Sequence, residues 1–456
     1  MKQKTQLSLF SFFSITISAQ SFEWGGRFGG SGEDVTKNTH VDDNGNSYTT
    51  GFFTDTADFD ITNNETNLTS NGSSDVFVQK TNTSGNLEWA VSVGGIDTEY
   101  GTAIATDNQG NVYITGLFYD TFDSDPGVGY FPLIATGQGD IFIIKLDGNG
   151  SFIWAKAVGG TGYEESTSID IDELANVYIL GYLYDTADFD PGVGEFFVTS
   201  QGLSDVFLLI LDSLRDFSKV YSYGGVDIDL ALDLKIKTST EIFLSGFFSG
   251  TADLDPRPFE EFLVEASNDF IGYTMQIDGA GAITNITHTT GGKVTVYAVE
   301  HDSQKNMYIT GHFNGTTNFA PTSGNSEYTF TADVAYNGFI LKVAPDGNVL
   351  WARQIASDNT NFIFDIAVNS EGRVYTTGYF ENTVDFDPSA TGEFILSKES
   401  ENSTDAFMLV LNSDGVFVNA YQFGGVDFID THQIGIDSED NILTPFRFSG
   451  IQDFTT

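Results

Sequence analysis

Carboxylates at short, repeating spacing are the residues in this chain best suited to chemistry. Asp185, Asp188 and Asp190 stand within six residues in "DTADFDPGVGEF". The same D-x-x-D-x-D spacing places Asp55, Asp58 and Asp60 in "DTADFDITNNE", and Asp120, Asp123 and Asp125 in "DTFDSDPGVGYF". Shorter versions keep Asp253 and Asp255 in "GTADLDPRPFE", and Asp385 and Asp387 in "NTVDFDPSATGE". On an extended strand, Asp188 and Asp190 point one way and Phe189 the other. Clustered carboxylates and loop carbonyls are the hard oxygens that calcium gathers in sets of six to eight, so these thirteen aspartates are candidate calcium ligands. The spacing is not that of an EF-hand loop, and Pro or Ile replaces its glycine. Two other readings compete. Asp before Pro-Gly is ordinary turn chemistry with solvated charge, and an acidic face is a surface for a basic partner.

The elements that position these residues come from a repeat. A strand ending in a glycine followed by an apolar or aromatic residue reads "SYTTGFF" (Gly51), "VYITGLF" (Gly116), "VYILGYL" (Gly181), "IFLSGFF" (Gly246), "MYITGHF" (Gly311) and "VYTTGYF" (Gly378). In a seventh copy, "NILTPFRF", Phe446 replaces the glycine, and successive spacings are 65, 65, 65, 65, 67 and 68 residues. Each unit reads as four strands joined by tight turns: "TAIATD", "VYITGLF", "DIFIIKLD" and "SFIWAKAVGG" in the second copy. Radial repetition of such units predicts an all-β fold, a seven-bladed β-propeller of about 65-residue repeats. The acidic segments are second-to-third-strand connections. The "GG" loops, with Glu33, Asp34, Asp97, Glu99, Glu164, Glu165, Asp227, Asp229, Asp427 and Asp430, join fourth strand to first, so both sets fall at one end of the blades. The count of strands leaves the last blade incomplete. The strand around Trp24, "FEWGGRFGG", is expected to close the ring beside "NILTPFRF", with the chain breaking off inside a unit at Thr456.

The motifs "GGxG", "DxxGNVYITGxF", "DFDP", "DxFxxK" and a Trp ahead of the next "GG" resemble the bacterial beta-propeller repeat family known as SBBP. The resemblance spans Ser21 to Thr456, is best in the first three units and is poorest in "ITNITHTTGGKVTVYAVEH". It implies a secreted or surface propeller and brings no reaction with it.

Composition bounds the partners. Against 19 basic residues stand 64 acidic ones, a formal net charge of −45, which argues against nucleic acid and anionic membranes. Cations, basic proteins and glycans remain. Lys2, Lys4, the apolar run Leu7 to Ser18 and the small-residue point Ala19-Gln20 read as an export signal over residues 1–20, ahead of a propeller over 21–456. That run is shorter than the ~20 residues of a spanning helix. The chain has no cysteine, so its stability must come from packing, with bound ions as a candidate second source. No GxSxG, HExxH, P-loop or paired metal histidines occur. Catalysis would need an asymmetric site, and Glu300, His301 and His312 form the best cluster for the alternative, a carbohydrate-active enzyme. The expectation is a non-enzymatic secreted binding or structural module for a protein or glycan ligand. Phe53, Phe118 and Phe248, two residues past the anchor glycines, are expected in the core.

Overall fold

A computed structural model describes residues 24–448 apart from 63, 258–259, 267–269, 322–325, 401–403 and 426–427, together with the strand backbones 12–13, 15–16, 21–22 and 452–453. The expected export signal therefore lies largely outside the described residues. By its own contacts the chain forms two compact units: residues 1–231, 236–239 and 437–447, and residues 232–235, 240–436 and 448–456.

Both units are built from antiparallel meanders of four strands. Unit 1 holds Asp34–Val41, Ser47–Phe53, Asp75–Thr81 and Leu87–Gly95; then Tyr100–Thr106, Val112–Phe118, Asp140–Leu146 and Phe152–Gly160; then Glu164–Ile171, Val177–Leu183, Asp205–Leu211 and Phe217–Gly225. Unit 2 holds Lys293–His301, Met307–Asn318, Thr329–Val343 and Val349–Ile355, followed by Asn361–Val368, Val374–Phe380, Asp405–Leu411 and Phe417–Gly425. Such all-β sheets are the construction expected of propeller blades.

Why the anchor glycine recurs is a matter of backbone clearance. Each first strand carries a β-bulge opposite it, as between Gly101 and Ala103 across from Gly116 and Thr115. A Cβ on Gly116 would lie 1.9 Å from the Tyr100 carbonyl oxygen, and one on Gly378 would lie 1.8 Å from that of Phe362. Only glycine admits the bulged strand so closely.

Apolar side chains of successive sheets interlock. Tyr113, Ile143 and Trp154 of one sheet share a core with Ile179, Phe207 and Leu209 of the next, all within unit 1. In unit 2, Tyr308 and Trp351 share one with Phe380, Phe407 and Leu409. Phe53, Phe118 and Phe248 are fully buried, as their position two residues past the glycine predicts.

Three tryptophans also reach forward. Trp24 Nε1 donates to the Thr83 carbonyl at 2.9 Å, Trp89 to Gly148 at 3.0 Å and Trp351 to Ser413 at 3.1 Å. Each bond ties its tryptophan to a turn about 60 residues later, inside one unit.

The acidic segments are not plain loops. Thr186–Asp188 pairs with Phe197–Thr199 as a short hairpin, and that hairpin adds to the glycine end of the preceding sheet, with Gly159 opposite Asp188 and Gly160 opposite Ala187. Thr121–Asp123 does the same to Gly94 and Gly95. A Cβ on Gly160 would sit 2.0 Å from the Thr186 carbonyl oxygen, so the glycine pair lets the clasp close.

Gly29–Gly30 follows the same clasp rule and pairs with Thr56–Asp58, while Ser21–Phe22 pairs with Ile15–Thr16. The partner of Ile442–Pro445 from the N-terminus is Phe12–Phe13, with Phe12 opposite Pro445.

Candidate functional site

In the acidic hairpins each carboxylate has a backbone task. Asp185, Asp55 and Asp120 adopt φ of 61°, 59° and 51°, the left-handed conformation that Asp tolerates better than bulkier residues; Asn382 and Gly250 fill the place at 60° and 64°. Asp188 Oδ1 accepts from the backbone N–H of Asp190 at 3.0 Å and of Phe196 at 2.7 Å, closing the loop. Asp58, Asp123, Asp253 and Asp385 make the same two bonds, at 2.8–3.2 Å. Asp190, Asp60, Asp125 and Asp387 each accept from the N–H two residues on, at 2.8–2.9 Å. Asp255 does so at 3.0 Å and also holds the Arg257 guanidinium through both oxygens, at 3.0 and 2.7 Å. The intervening Phe59, Phe189, Leu254 and Phe386 are wholly buried. Repulsion among these acids is offset by N–H donors, which favour the ionised form. Among the described residues, no group of three or more His, Cys, Asp or Glu side chains is arranged to hold a metal ion.

The acids of the "GG" loops divide. Asp34, Glu99, Glu164 and Asp229 are at most 1% exposed, far from the solvated charges the sequence suggested. Each accepts from the second glycine of its pair: Gly30 at 2.7 Å, Gly95 at 2.9 Å, Gly160 at 3.0 Å and Gly225 at 2.6 Å. Burial pushes the Glu99 and Glu164 carboxyls up to about 8, with Asp75 and Asp140 respectively adding repulsion.

The three residues of the catalytic alternative are not brought together. His301 faces Met307 across the hairpin, whereas His312 faces Thr295. Five residues separate Met307 from His312, about 17 Å at ~3.3 Å per strand residue. The Glu300 carboxylate accepts the backbone N–H of His301 at 2.8 Å. Burial holds His312 down at about 3, so its ring is neutral and belongs to an aromatic cluster.

That cluster is the feature the sequence reading missed. Around His312 in unit 2 lie Phe362 at 4.3 Å, Tyr336 at 4.8 Å and Tyr297 at 5.3 Å between ring centroids. It continues through Tyr379 on Phe362 at 5.2 Å and Phe364 on Tyr297 at 4.9 Å to His432, stacked on Phe364 at 4.2 Å. Tyr297, Tyr336, Phe362, Phe364 and Tyr379 are half-buried and His432 is exposed, so ring surface reaches solvent. His312 and Tyr379 directly follow anchor glycines. Period-two alternation was the available signal: if the second residue past the glycine is core, the first faces the other way. Unit 1 repeats the theme with Phe52 against Tyr100 at 4.7 Å. There Tyr163 and Tyr182 both donate to Glu165 Oε2.

No family model matches the chain, so the SBBP resemblance gains no assignment. The chain is 22% identical over 441 residues to an uncharacterized WD repeat-containing protein, L264, of Acanthamoeba polyphaga mimivirus. That match takes in 84% of this chain but only about a third of the relative (32%). A crystal structure of a protein of unknown function from Bacteroides caccae aligns over 76% of this chain and 94% of its own, at 7% identity and a TM-score of 0.35. The chain is thus a repeat-containing, propeller-like all-β protein with distant WD-repeat homology.

Proposed function

We propose that the chain is a non-enzymatic, exported seven-bladed propeller that acts as a binding module, with the half-exposed aromatic cluster of unit 2 as its ligand surface. The observation that carries this is the set of rings at Tyr297, Tyr336, Phe362, Phe364 and Tyr379, packed in edge-to-face and tilted contacts and only half-buried. Rings of this kind present flat apolar area with little conformational entropy to lose, and Tyr adds a polar tip. Neutral glycans fit such a surface and are not repelled by a net charge of −45. Binding to a neutral polysaccharide panel tests it: retention should be measurable for wild type and fall at least tenfold in Phe362→Ala and Tyr379→Ala. Equal retention of wild type and both variants would remove the cluster from the function.

Export rests on the leader-like residues 1–20, and cleavage there would remove Phe12–Phe13 from the edge of Ile442–Pro445. Closure of the seventh blade then needs another strand. The alternative of a glycosidase or lyase draws on Glu300, His301 and His312, whose separation along the hairpin weakens it.

A further inference from the structure

Three places in unit 1 bury two carboxyl groups side by side. One opens a third strand, the other lies four residues past the glycine pair. Asp75 with Glu99, Asp140 with Glu164, and Asp205 with Asp229 are all at most 2% exposed. Asp140 Oδ2 accepts from Thr136 N–H at 2.9 Å and its hydroxyl at 3.0 Å, Asp205 Oδ2 accepts from Gln201 N–H at 3.0 Å, and both oxygens of Asp75 accept from Asn71 N–H at 3.1 Å. Glu99 Oε1, Asp140 Oδ1, Glu164 Oε1 and Asp205 Oδ1 are fully buried and meet no donor.

These oxygens converge on the glycines. A Cβ on Gly224 would stand 2.8 Å from both Asp205 Oδ1 and Asp229 Oδ2. One on Gly159 would stand 2.6 Å from Asp140 Oδ1, and one on Gly94 2.5 Å from Asp75 Oδ1. Peptide carbonyls join them. The Cβ position of Gly162 is 2.2 Å from Tyr184 O and 3.2 Å from Glu164 Oε1, and that of Gly95 is 2.3 Å from Thr121 O and 3.3 Å from Glu99 Oε1. Four buried acceptors that meet no donor, Glu99 Oε1, Asp140 Oδ1, Glu164 Oε1 and Asp205 Oδ1, thus lie among further carboxylate and carbonyl oxygens. A shared proton joins one oxygen to one other, whereas a cation draws carboxylates and carbonyls together.

We propose that Asp75–Glu99, Asp140–Glu164 and Asp205–Asp229 are three calcium sites, each tying the start of a third strand to the glycine-pair loop that follows it. Mixed carboxylate and carbonyl oxygens in irregular geometry suit calcium better than magnesium, which demands a near-ideal octahedron. Two carboxylates per site place the affinity in the range of extracellular modules, Kd about 10⁻⁴–10⁻³ M. Unit 2 contains its own control. Asn361 faces Phe380 in the register in which Glu164 faces Leu183, and Asn337 faces Phe313 as Asp140 faces Phe118. Asn361 satisfies itself, accepting from Gly338 N–H at 2.6 Å and donating to Ile355 O at 3.0 Å. The Asn361 amide therefore fits its position without an ion.

The test is calcium titration of the chelated full chain by calorimetry and native mass spectrometry. Wild type should bind calcium, and about 5 mM should raise the melting temperature where sodium at equal ionic strength does not. Asp140→Asn with Glu164→Gln should fold, judged by circular dichroism, and bind one ion fewer. Asp205→Asn with Asp229→Asn is the substitute should that pair not fold, and Asp188→Asn should leave the number unchanged. An unaltered ion count in the double variants overturns the proposal. So does a wild type that binds no calcium and loses stability between pH 5 and 8 whether or not calcium is present, which assigns a shared proton instead.

Discussion

At the scale of residues, the acidic segments show how one composition supports two chemistries. Asp188 and Asp190 look like ion ligands in sequence because their spacing puts both carboxylates on one side of a strand. In the structure Asp188 also has a backbone role, closing its loop on two N–H donors. Asp188→Asn keeps the accepting oxygen and should change stability by less than about 1 kcal/mol in denaturant unfolding. Asp188→Ala leaves two donors without it and should cost about 1–3 kcal/mol. The buried acids Glu99 and Glu164 were legible as acids after "GG" but not as buried ones, because burial depends on the clasp formed with a hairpin some 25 residues downstream. Their folded pKa of about 8 stands above the ordinary 4.5, so the fold binds the proton more tightly than the unfolded chain does. In the chelated protein that stability is full below about 4.5 and is lost as pH rises through about 8. Melting temperatures across that window should decline, and calcium should flatten the decline by holding both carboxylates ionised.

At the scale of elements, the four strands of each unit were readable because their apolar runs, Asp-Gly-type turns and glycine anchors recur at a fixed period. Tyr100–Thr106, Val112–Phe118, Asp140–Leu146 and Phe152–Gly160 fall where the sequence pattern puts them. The hairpin inside the acidic connection was hidden: Thr186–Asp188 and Phe197–Thr199 are three residues each, too short for a periodic signal, and exist through pairing with Gly159–Gly160. Gly160→Ala should therefore destabilise by about 2–4 kcal/mol through backbone collision, the class of substitution that gives large effects. Gly110, whose Cβ position is open, is the matched control, although its φ of 76° imposes a small penalty of its own. Trp89→Phe keeps an aromatic ring of smaller area and removes the bond to Gly148, and should cost at least about 1 kcal/mol. The aromatic cluster escaped notice because its members come from five strands, and adjacency across strands is set by register.

At the scale of the whole molecule, the repeat gave the class of fold, while the ends depend on pairings that sequence spacing does not determine. Gly29–Gly30 follows the clasp rule with Thr56–Asp58, and Phe12–Phe13 pairs with Ile442–Pro445. Export with cleavage at Ala19-Gln20 predicts an exported chain whose N-terminus begins near Ser21, checked by intact-mass measurement. A retained leader would instead keep the strand at Phe12–Phe13 and argue against export. Binding without turnover is the central claim, and incubating the purified protein with a neutral polysaccharide panel while following both retention and soluble oligosaccharide release tests it most directly. A binding module predicts retention that depends on Phe362 and Tyr379, with no product at any time point. Product release that disappears in a folded Glu300→Gln, His301→Ala or His312→Ala variant would contradict it.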